Sequence, residues 1–140
     1  MATDNKLLVV GPGSWGTALA LVFARNGYKT WLWGIESEIT RLKQDRSNEM
    51  FLPGITFPDN LIPSSDFSEI DADIQDIIMV VPCSALRSVL ETIQSTFTHP
   101  LRLCLCSKGL ESGSQLLGQE VVAECFIDNV TTLILSGPSF

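Results

Sequence analysis

Positive charge is scarce in this sequence. Nine lysine and arginine residues stand against 16 aspartate and glutamate residues, so the formal net charge is −7 at pH 7. Nucleic acids and anionic membrane surfaces are polyanions, and a chain with this balance is not expected to bind either of them broadly. Any anion that it binds must therefore be held by a local feature of the fold.

Long hydrophobic runs and histidine are also scarce. The N-terminal MATDNK is polar, and the apolar run after it spans only Leu7 to Val10, which fits neither a signal peptide nor a membrane span. We therefore expect a cytoplasmic protein.

The single histidine, His99, is isolated, and Cys104 and Cys106 share one face of a predicted strand. Buried structural thiols are favoured there over a metal or redox pair, and no metal is expected.

Apolar runs typical of strands alternate with segments of helical periodicity along the chain. The stretch 47–65 contains three prolines and is predicted to be loop or edge, with a short strand near Leu61 and Ile62. The other predicted strands are 6–10, 29–33, 76–81, 101–106 and 132–136, and the predicted helices are 14–26, 36–46, 84–96 and 114–126. The alternation predicts a single α/β domain over residues 1–140, with a Rossmann-like, doubly wound and mostly parallel sheet.

The helical segments carry further local signals. Leu19, Val22 and Phe23 have the spacing of one apolar helix face, and the next helix has Ile39 and Leu42 as its inward pair. Ser84 is predicted to cap the third helix. The apolar residues of the first two helices predict which side of each helix packs on the sheet.

A glycine motif lies between the first predicted strand and the first predicted helix. Gly11, Gly13 and Gly16 satisfy the pattern GxGxxG in that context. Gly11 permits the tight turn out of the strand, Gly13 lets a pyrophosphate approach the backbone, and Gly16 allows close packing of helix and sheet. The helix N-terminus adds unpaired N–H groups and a positive dipole end. We predict binding of NAD or NADP here, the alternative being a turn without a ligand.

The end of the second predicted strand bears on which dinucleotide is bound. An acidic residue there favours the ribose 2′-hydroxyl of NAD, whereas an arginine accepts the 2′-phosphate of NADP. The sequence reads WGIESE, so Glu36 either contacts the ribose or lies in the first turn of the next helix, where a carboxylate is favoured. Ile35 is interpreted as a flat apolar support for the adenine.

Five segments together resemble one enzyme family. They are GPGSWGTALA (11–20), FLP (51–53), VVP (80–82), SKGLE (107–111) and SGPSF (136–140). Their order and spacing resemble the NAD(P)-dependent glycerol-3-phosphate dehydrogenases of the bacterial type, and the resemblance covers essentially the whole chain. SKGLE and SGPSF, each after a predicted strand, are far more specific than the glycine motif.

The resemblance implies reversible hydride transfer between dihydroxyacetone phosphate and sn-glycerol 3-phosphate. The glycerol 3-phosphate formed would enter glycerophospholipid synthesis. It implies that cofactor contacts come from Gly11, Gly13, Ser14, Trp15, Gly16, Ile35, Pro82, Leu86 and Lys108. It implies that Lys108, Gly137 and Ser139 contact the substrate. Family members often carry a basic or aromatic residue at the position of Ile35, so the preference for NADP is left open.

Lys108 has a plausible chemistry apart from the family. A lysine that follows a strand at the sheet's carboxyl edge could stabilise negative charge on a carbonyl oxygen during hydride delivery. It could also hold a phosphate as a point charge. The alternative is an exposed surface lysine beside the turn that Gly109 suggests.

The resemblance also implies a helical domain beyond Phe140 that supplies the general acid/base lysine. We therefore expect no catalytic proton acceptor in residues 1–140, weak NAD(P)(H) binding and negligible turnover by this portion alone. Exposed apolar surface at the crevice would favour self-association, with a homodimer as one outcome. The alternatives are a stand-alone dinucleotide-binding module and the cofactor domain of another dehydrogenase, such as a 3-hydroxyacyl or UDP-glucose enzyme.

Overall fold

The computed structural model describes residues 5–107 and 109–135. Its strands are β1 (Lys6–Val10), β2 (Lys29–Trp33), β3 (Ser47–Asn48), β4 (Leu52–Thr56), β5 (Leu61–Ser64), β6 (Asp76–Met79), β7 (Leu101–Leu105) and β8 (Val130–Ile134). Its helices are α1 (Ser14–Arg25), α2 (Glu36–Asp45), α3 (Cys83–Thr96) and α4 (Gly118–Cys125), with one 3₁₀ turn at Phe67–Glu69. Within these described ranges, no helix has the length and apolar character needed to cross a bilayer.

Six strands form one sheet in the order β5-β2-β1-β6-β7-β8, and every neighbouring pair is parallel. From β1 the chain moves outward through β2 to β5, and it then returns to β6 on the other side of β1. This arrangement confirms the predicted doubly wound α/β fold. In such a sheet, ligands bind beyond the carboxyl ends of the strands where the order reverses, which here is between β1 and β6.

Both faces of the sheet are buried, which explains the continuous apolar run in β1. Leu8 and Val10 belong to the core under α3 and α4, whereas Leu7 and Val9 belong to the core under α1 and α2. All four side chains are at most 3% exposed. Successive residues of a strand point to opposite faces, so a strand covered on both sides is apolar at every position.

The buried face of α1 differs from the prediction. Its buried residues are Gly16, Thr17, Ala20, Leu21 and Ala24. Val22 is 54% exposed, and Leu19 and Phe23 are only partly buried at the margin of the core. The prediction was wrong for Val22 because α1 is apolar around most of its circumference, so residue spacing does not single out the side that packs on the sheet, and that side carries Leu21 with smaller residues. The inward pair of α2, Ile39 and Leu42, is confirmed.

The proline-containing stretch is more ordered than predicted. β5 is an edge strand that pairs in parallel with β2, which confirms the short strand near Leu61 and Ile62. Strands β3 and β4, which form a separate antiparallel pair, were not predicted. β3 has only two residues and β4 contains Pro53 and Gly54, so neither has the alternating apolar pattern that identifies a strand.

Several predicted boundaries need correction. Strand β6 ends at Met79, two residues before the predicted end at residue 81. Helix α4 begins at Gly118 rather than at residue 114, because Gly113 and Gln115 adopt φ angles of 89° and 62° that a right-handed helix excludes. Helix α3 has Pro82 at its N-cap and begins one residue before Ser84, so Ser84 does not cap it. The last strand covers Val130–Ile134, two residues earlier than predicted.

Candidate cofactor-binding site

Residues 11–16 form the β1–α1 turn, and two of its glycines are required by the fold. Gly11 has a φ of +119°, and a Cβ atom there would lie 2.5 Å from the Val80 carbonyl oxygen. A Cβ atom on Gly16 would lie 1.8 Å from the Gly11 carbonyl oxygen. The backbone therefore packs against itself at both positions, and no other residue fits without movement.

Gly13 is different, because no contact within the described structure requires a glycine at this position. Its φ of −72° and ψ of −170° are open to any residue. A Cβ atom there would meet no heavy atom within 4 Å. Gly13 keeps a space open in front of helix α1, which is the feature expected if another molecule approaches the backbone.

The N-terminus of α1 has no neutralising side chain. Gly13 is its N-cap, no side chain caps it, and its first turn has no acidic residue. Helix α3 likewise begins without a side-chain cap or an acidic first turn, from Pro82. Gly13 and Pro82 line the same groove, so the positive ends of two helix dipoles face one space. Backbone N–H groups in that setting suit a phosphate.

A buried polar cluster supports the β1–α1 turn from behind. Asn48 is 4% exposed, and its amide donates to the Pro12 carbonyl oxygen at 2.8 Å and to Thr17 Oγ1 at 2.9 Å. The Thr17 hydroxyl also donates to the Pro12 carbonyl oxygen, at 3.2 Å. Sequence reasoning missed Asn48, because the contact joins residues 36 positions apart. The cluster fixes the turn's backbone by satisfying its carbonyl group.

The groove itself has a volume of about 650 Å³ at the carboxyl ends of β1, β2 and β6. Its walls are mainly apolar. Trp33 stacks on Phe67 with ring centroids 4.5 Å apart and an interplanar angle of 7°. The lining residues are Gly11, Pro12, Gly13, Trp33, Gly34, Ile35, Glu38, Phe51, Phe67, Val80, Val81, Pro82, Ala85, Ser88, Val89 and Thr92.

The structure brings four of the predicted cofactor contacts together in this lining: Gly11, Gly13, Ile35 and Pro82. Ser14 and Trp15 are exposed in the first turn of α1 beside it. Leu86 is 1% exposed and belongs to the core under α3, away from the groove surface. Lys108, Gly137 and Ser139 lie outside the described residues.

Residues 34–38 form the β2–α2 turn at the other end of the groove. Ile35 is 57% exposed and is the N-cap of α2. Its N–H donates to Glu38 Oε1 at 3.3 Å, so Glu38 caps the helix and also lines the groove. Glu36 lies in the first turn of α2 but is not among the lining residues. Glu38 was missed by the sequence analysis, although a glutamate three residues after an N-cap is a recognisable capping signal.

The loop after β7 is anchored on both sides of residue 108. The Ser107 hydroxyl donates to the carbonyl oxygen of Val81, which lines the groove. Glu111 accepts two hydrogen bonds from Arg87, each 2.9 Å long, and Arg87 also donates to Glu124 at 2.7 Å. The hydrogen bonds from Arg87, with one from Ser114, lower the pKa of Glu111 to about 2. Sequence periodicity does not reveal this pairing of distant residues.

The cysteine pair lies away from the groove. Cys106 is 8% exposed, and Cys104 is half-buried in the core under α1 and α2. Burial raises the pKa of Cys106 to about 11, despite a hydrogen bond with Trp15 that lowers it. In the described ranges, no three histidine, cysteine, aspartate or glutamate side chains are arranged to hold a metal ion.

Comparison with known families gives one match. Residues 6–140 match the family described as the NAD-dependent glycerol-3-phosphate dehydrogenase N-terminus. Two similar proteins are glycerol-3-phosphate dehydrogenases [NAD(P)+], one from Aliivibrio fischeri (40% identity, 99% of this chain and 40% of the relative) and one from Shewanella pealeana (42% identity, 100% and 42%). The chain thus spans about two fifths of the length of the curated relatives it matches.

Solved structures show the same similarity. Glycerol-3-phosphate dehydrogenase from Coxiella burnetii aligns with a TM-score of 0.89 and 35% identity over 98% of this chain and 42% of that one. The enzyme from Saccharomyces cerevisiae aligns with a TM-score of 0.75 and 26% identity over 93% and 41%. A D-mandelate dehydrogenase, at 17% identity, shares the fold alone.

Proposed function

The chain belongs to the family of NAD-dependent glycerol-3-phosphate dehydrogenase N-terminal domains, and on that premise we propose that its groove binds NAD(H) or NADP(H). In this proposal the chain is the cofactor-binding portion of an oxidoreductase that interconverts sn-glycerol 3-phosphate and dihydroxyacetone phosphate. Family membership favours this function over the cofactor domain of a 3-hydroxyacyl or UDP-glucose dehydrogenase.

Gly13 is the observation that carries the proposal. The fold requires Gly11 and Gly16, but a Cβ atom at residue 13 would meet no protein atom within 4 Å. Gly13 also lines the groove together with Pro82, so that the uncapped N-termini of α1 and α3 both border it. An open, positively polarised position beside a groove is suited to a pyrophosphate.

The remaining groove residues fit the two ends of a dinucleotide. The exposed Ile35 offers an apolar surface for the adenine, and the apolar walls near Val81 and Pro82 would cover the other half of the cofactor. The bound cofactor would accept or donate the hydride. The chain's own residues would hold and orient it, because no redox chemistry is required of them.

The substrate contacts rest on the resemblance. In the proposal, Lys108 contacts both cofactor and substrate, and Gly137 and Ser139 contact the substrate. Proton transfer is assigned to a lysine beyond Phe140, so residues 1–140 alone would bind cofactor weakly and turn over dihydroxyacetone phosphate negligibly. A role in glycerophospholipid synthesis, a cytoplasmic location and a homodimeric state stay predictions.

The test is a titration of the chain with NADH and, separately, with NADPH, in which binding is monitored by the quenching of tryptophan fluorescence. We expect saturable binding by the parent chain. Gly13→Ala should weaken it at least tenfold, because its methyl group would occupy the space that the phosphates need. The melting temperature should stay close to that of the parent chain, since the methyl group meets no protein atom.

The matched control is Gly27→Ala. Gly27 follows α1 at the opposite end from the groove, and a Cβ atom there also meets nothing within 4 Å, but its φ of +90° adds local strain. This variant should lose some stability and keep its cofactor affinity. Unchanged affinity in Gly13→Ala, or no binding by the parent chain and by a chain extended through the second domain, would contradict the proposed function.

A further inference from the structure

One buried amide holds the β1–α1 turn without lining the groove. Asn48 is 4% exposed, and its Nδ2 lies 2.8 Å from the Pro12 carbonyl oxygen and 2.9 Å from Thr17 Oγ1. A carbonyl oxygen can only accept, so the amide nitrogen, and not the amide oxygen, faces it. Thr17 is fully buried and donates its own proton to the same carbonyl group. The donors and acceptors of these three groups are therefore matched.

Holding the Pro12 carbonyl group also fixes the N–H group that follows it. Pro12 and Gly13 share one peptide plane, and none of the described peptide bonds is cis. In a trans peptide the carbonyl and N–H groups point in opposite directions. The Gly13 N–H is therefore directed away from Asn48. Gly13 lines the groove, whereas Asn48 lines a neighbouring cavity and not the groove.

The β3–β4 pair brings Asn48 to the turn. This pair lies outside the six-stranded sheet, and within it Asn48 is opposite Leu52. The pair is closed at its base by the Phe57 N–H, which donates to the Arg46 carbonyl oxygen at 2.6 Å, and Phe57 is 3% exposed. The backbone around Asn48 is thus held by an element that is separate from both β1 and α1.

We propose that Asn48 is a positioning residue for the cofactor pyrophosphate and that it acts through the Pro12–Gly13 peptide. The inference rests on the proposed function, since it concerns the turn that would hold the phosphates. Glycine at residue 13 leaves room for a phosphate, but it also leaves the backbone free to adopt other conformations. Asn48 restricts that freedom before the cofactor binds, so less conformational entropy is lost on binding.

A purely structural role for Asn48 makes a different prediction. A buried amide that only satisfies a carbonyl group stabilises the fold, and its loss lowers the melting temperature without changing how the folded chain holds a phosphate. ADP and adenosine share the base and the ribose and differ in the pyrophosphate group. The ratio of their affinities therefore isolates the contribution of the phosphates to binding, which is the quantity that a positioning role changes.

The first variant is Asn48→Leu, which keeps the approximate size of the side chain and removes both donated hydrogen bonds. NADH binding is measured by tryptophan fluorescence, and ADP and adenosine by displacement of NADH, at a temperature where each variant is folded. NADH and ADP should bind about tenfold more weakly, because a misdirected N–H loses a hydrogen bond to a charged group. The affinity for adenosine should stay that of the parent chain.

The matched control is Asn60→Leu. Asn60 also donates its amide to two carbonyl oxygens, those of Ala24 at 2.7 Å and Tyr28 at 2.9 Å, but at the C-terminal end of α1. This variant should lower the melting temperature and leave the ratio of ADP to adenosine affinity unchanged. It separates a general loss of stability from a loss of phosphate positioning.

The amide resonance of Gly13 in the NMR spectrum of the ¹⁵N-labelled chain gives a second readout. ADP should shift it in the parent chain, adenosine should not, and the ADP-induced shift should be lost in Asn48→Leu. If Asn48→Leu does not fold, Thr17→Val takes its place, since it removes the hydroxyl from the same hydrogen-bonded set and should weaken ADP binding selectively.

The outcomes separate the inference from the proposed function. Parent-like affinities in the folded variant, or equal weakening of ADP and adenosine, would overturn the role of Asn48 and leave the proposed function standing. Absence of NADH and ADP binding by the parent chain and by a chain extended through the second domain would overturn both.

Discussion

The β1–α1 turn and the β2–α2 turn both carry the chain from a parallel strand into a helix at the same edge of the sheet. The first is built by backbone contacts, has glycine where the fold leaves no room, and presents an uncapped helix end. The second presents a helix end capped by Glu38. One turn therefore suits an anion, whereas the other presents a carboxylate to the groove.

The two turns also contact each other. A Cβ atom on Gly34 would lie 2.6 Å from Cγ and 2.9 Å from Cδ of Pro12. The Gly11 N–H donates to the Trp33 carbonyl oxygen at 2.9 Å. Two strand-to-helix turns at the same edge of the sheet therefore differ in electrostatics, according to whether a side chain caps the helix.

The largest effect is expected from Gly16→Ala in the β1–α1 turn. The new methyl group would lie 1.8 Å from a backbone oxygen, which cannot rotate away. We expect a loss of about 3 kcal/mol or more in the free energy of unfolding, and a fall of roughly 10 °C in melting temperature. A thermal melt monitored by circular dichroism measures the change in melting temperature. A melt unchanged from that of the parent chain would break the claim that backbone packing defines this turn.

A smaller effect is expected from Gly34→Ala in the β2–α2 turn. Here the methyl group meets the side-chain ring of Pro12 at 2.6 and 2.9 Å rather than a backbone oxygen at 1.8 Å, so the displacement needed to relieve the contact is smaller. We expect a loss of about 1–2 kcal/mol in the free energy of unfolding, measured by urea denaturation. A loss as large as that of Gly16→Ala would show that the two turns are equally constrained.

Removing the cap of α2 should have a smaller effect still. Glu38→Ala loses the acceptor for the Ile35 N–H and a carboxylate at the positive end of the helix dipole, and should cost about 0.5 kcal/mol. Glu38→Gln should recover part of that loss, as urea denaturation of the two variants side by side would reveal. If both variants were as stable as the parent chain, the capping contact would contribute nothing.

Acid sensitivity should arise outside both turns, at Glu111. The pKa of Glu111 is lowered from 4.5 to about 2 by its hydrogen bonds with Arg87 and Ser114. A lowered pKa in the folded state means that its contribution to stability is complete above about pH 4.5 and is lost as the pH falls towards 2. Glu111→Gln should therefore flatten the dependence of stability on pH between 4.5 and 2.

At neutral pH the effect of this pair is limited, because Arg87 is about one third exposed. Unfolding in urea at a series of pH values measures the slope. Asp45→Asn is the control for the loss of a carboxylate elsewhere. An unchanged slope in Glu111→Gln would show that the pairing with Arg87 does not couple protonation to folding.

The order of strands and helices could be predicted because it depends on local patterns. The run KLLVV reads as a buried strand wherever it lies in the fold, and its position was predicted to the residue. The buried face of α1 could not be predicted, since this helix offers more than one apolar stripe and only its packing on the sheet selects between them. Helix α4 was predicted too long because backbone angles at Gly113 and Gln115, rather than composition, decide where it begins.

By itself the sequence determined the doubly wound fold, the place of the glycine turn and the resemblance to one dehydrogenase family. Those features are encoded by neighbouring residues, through periodicity and the backbone freedom of glycine. The tertiary structure decided that Gly13 alone of the three motif glycines has room for a Cβ atom, that Glu38 rather than Glu36 lines the groove, and that Arg87 meets Glu111. Such facts depend on how separate elements are placed against one another, which no local pattern specifies.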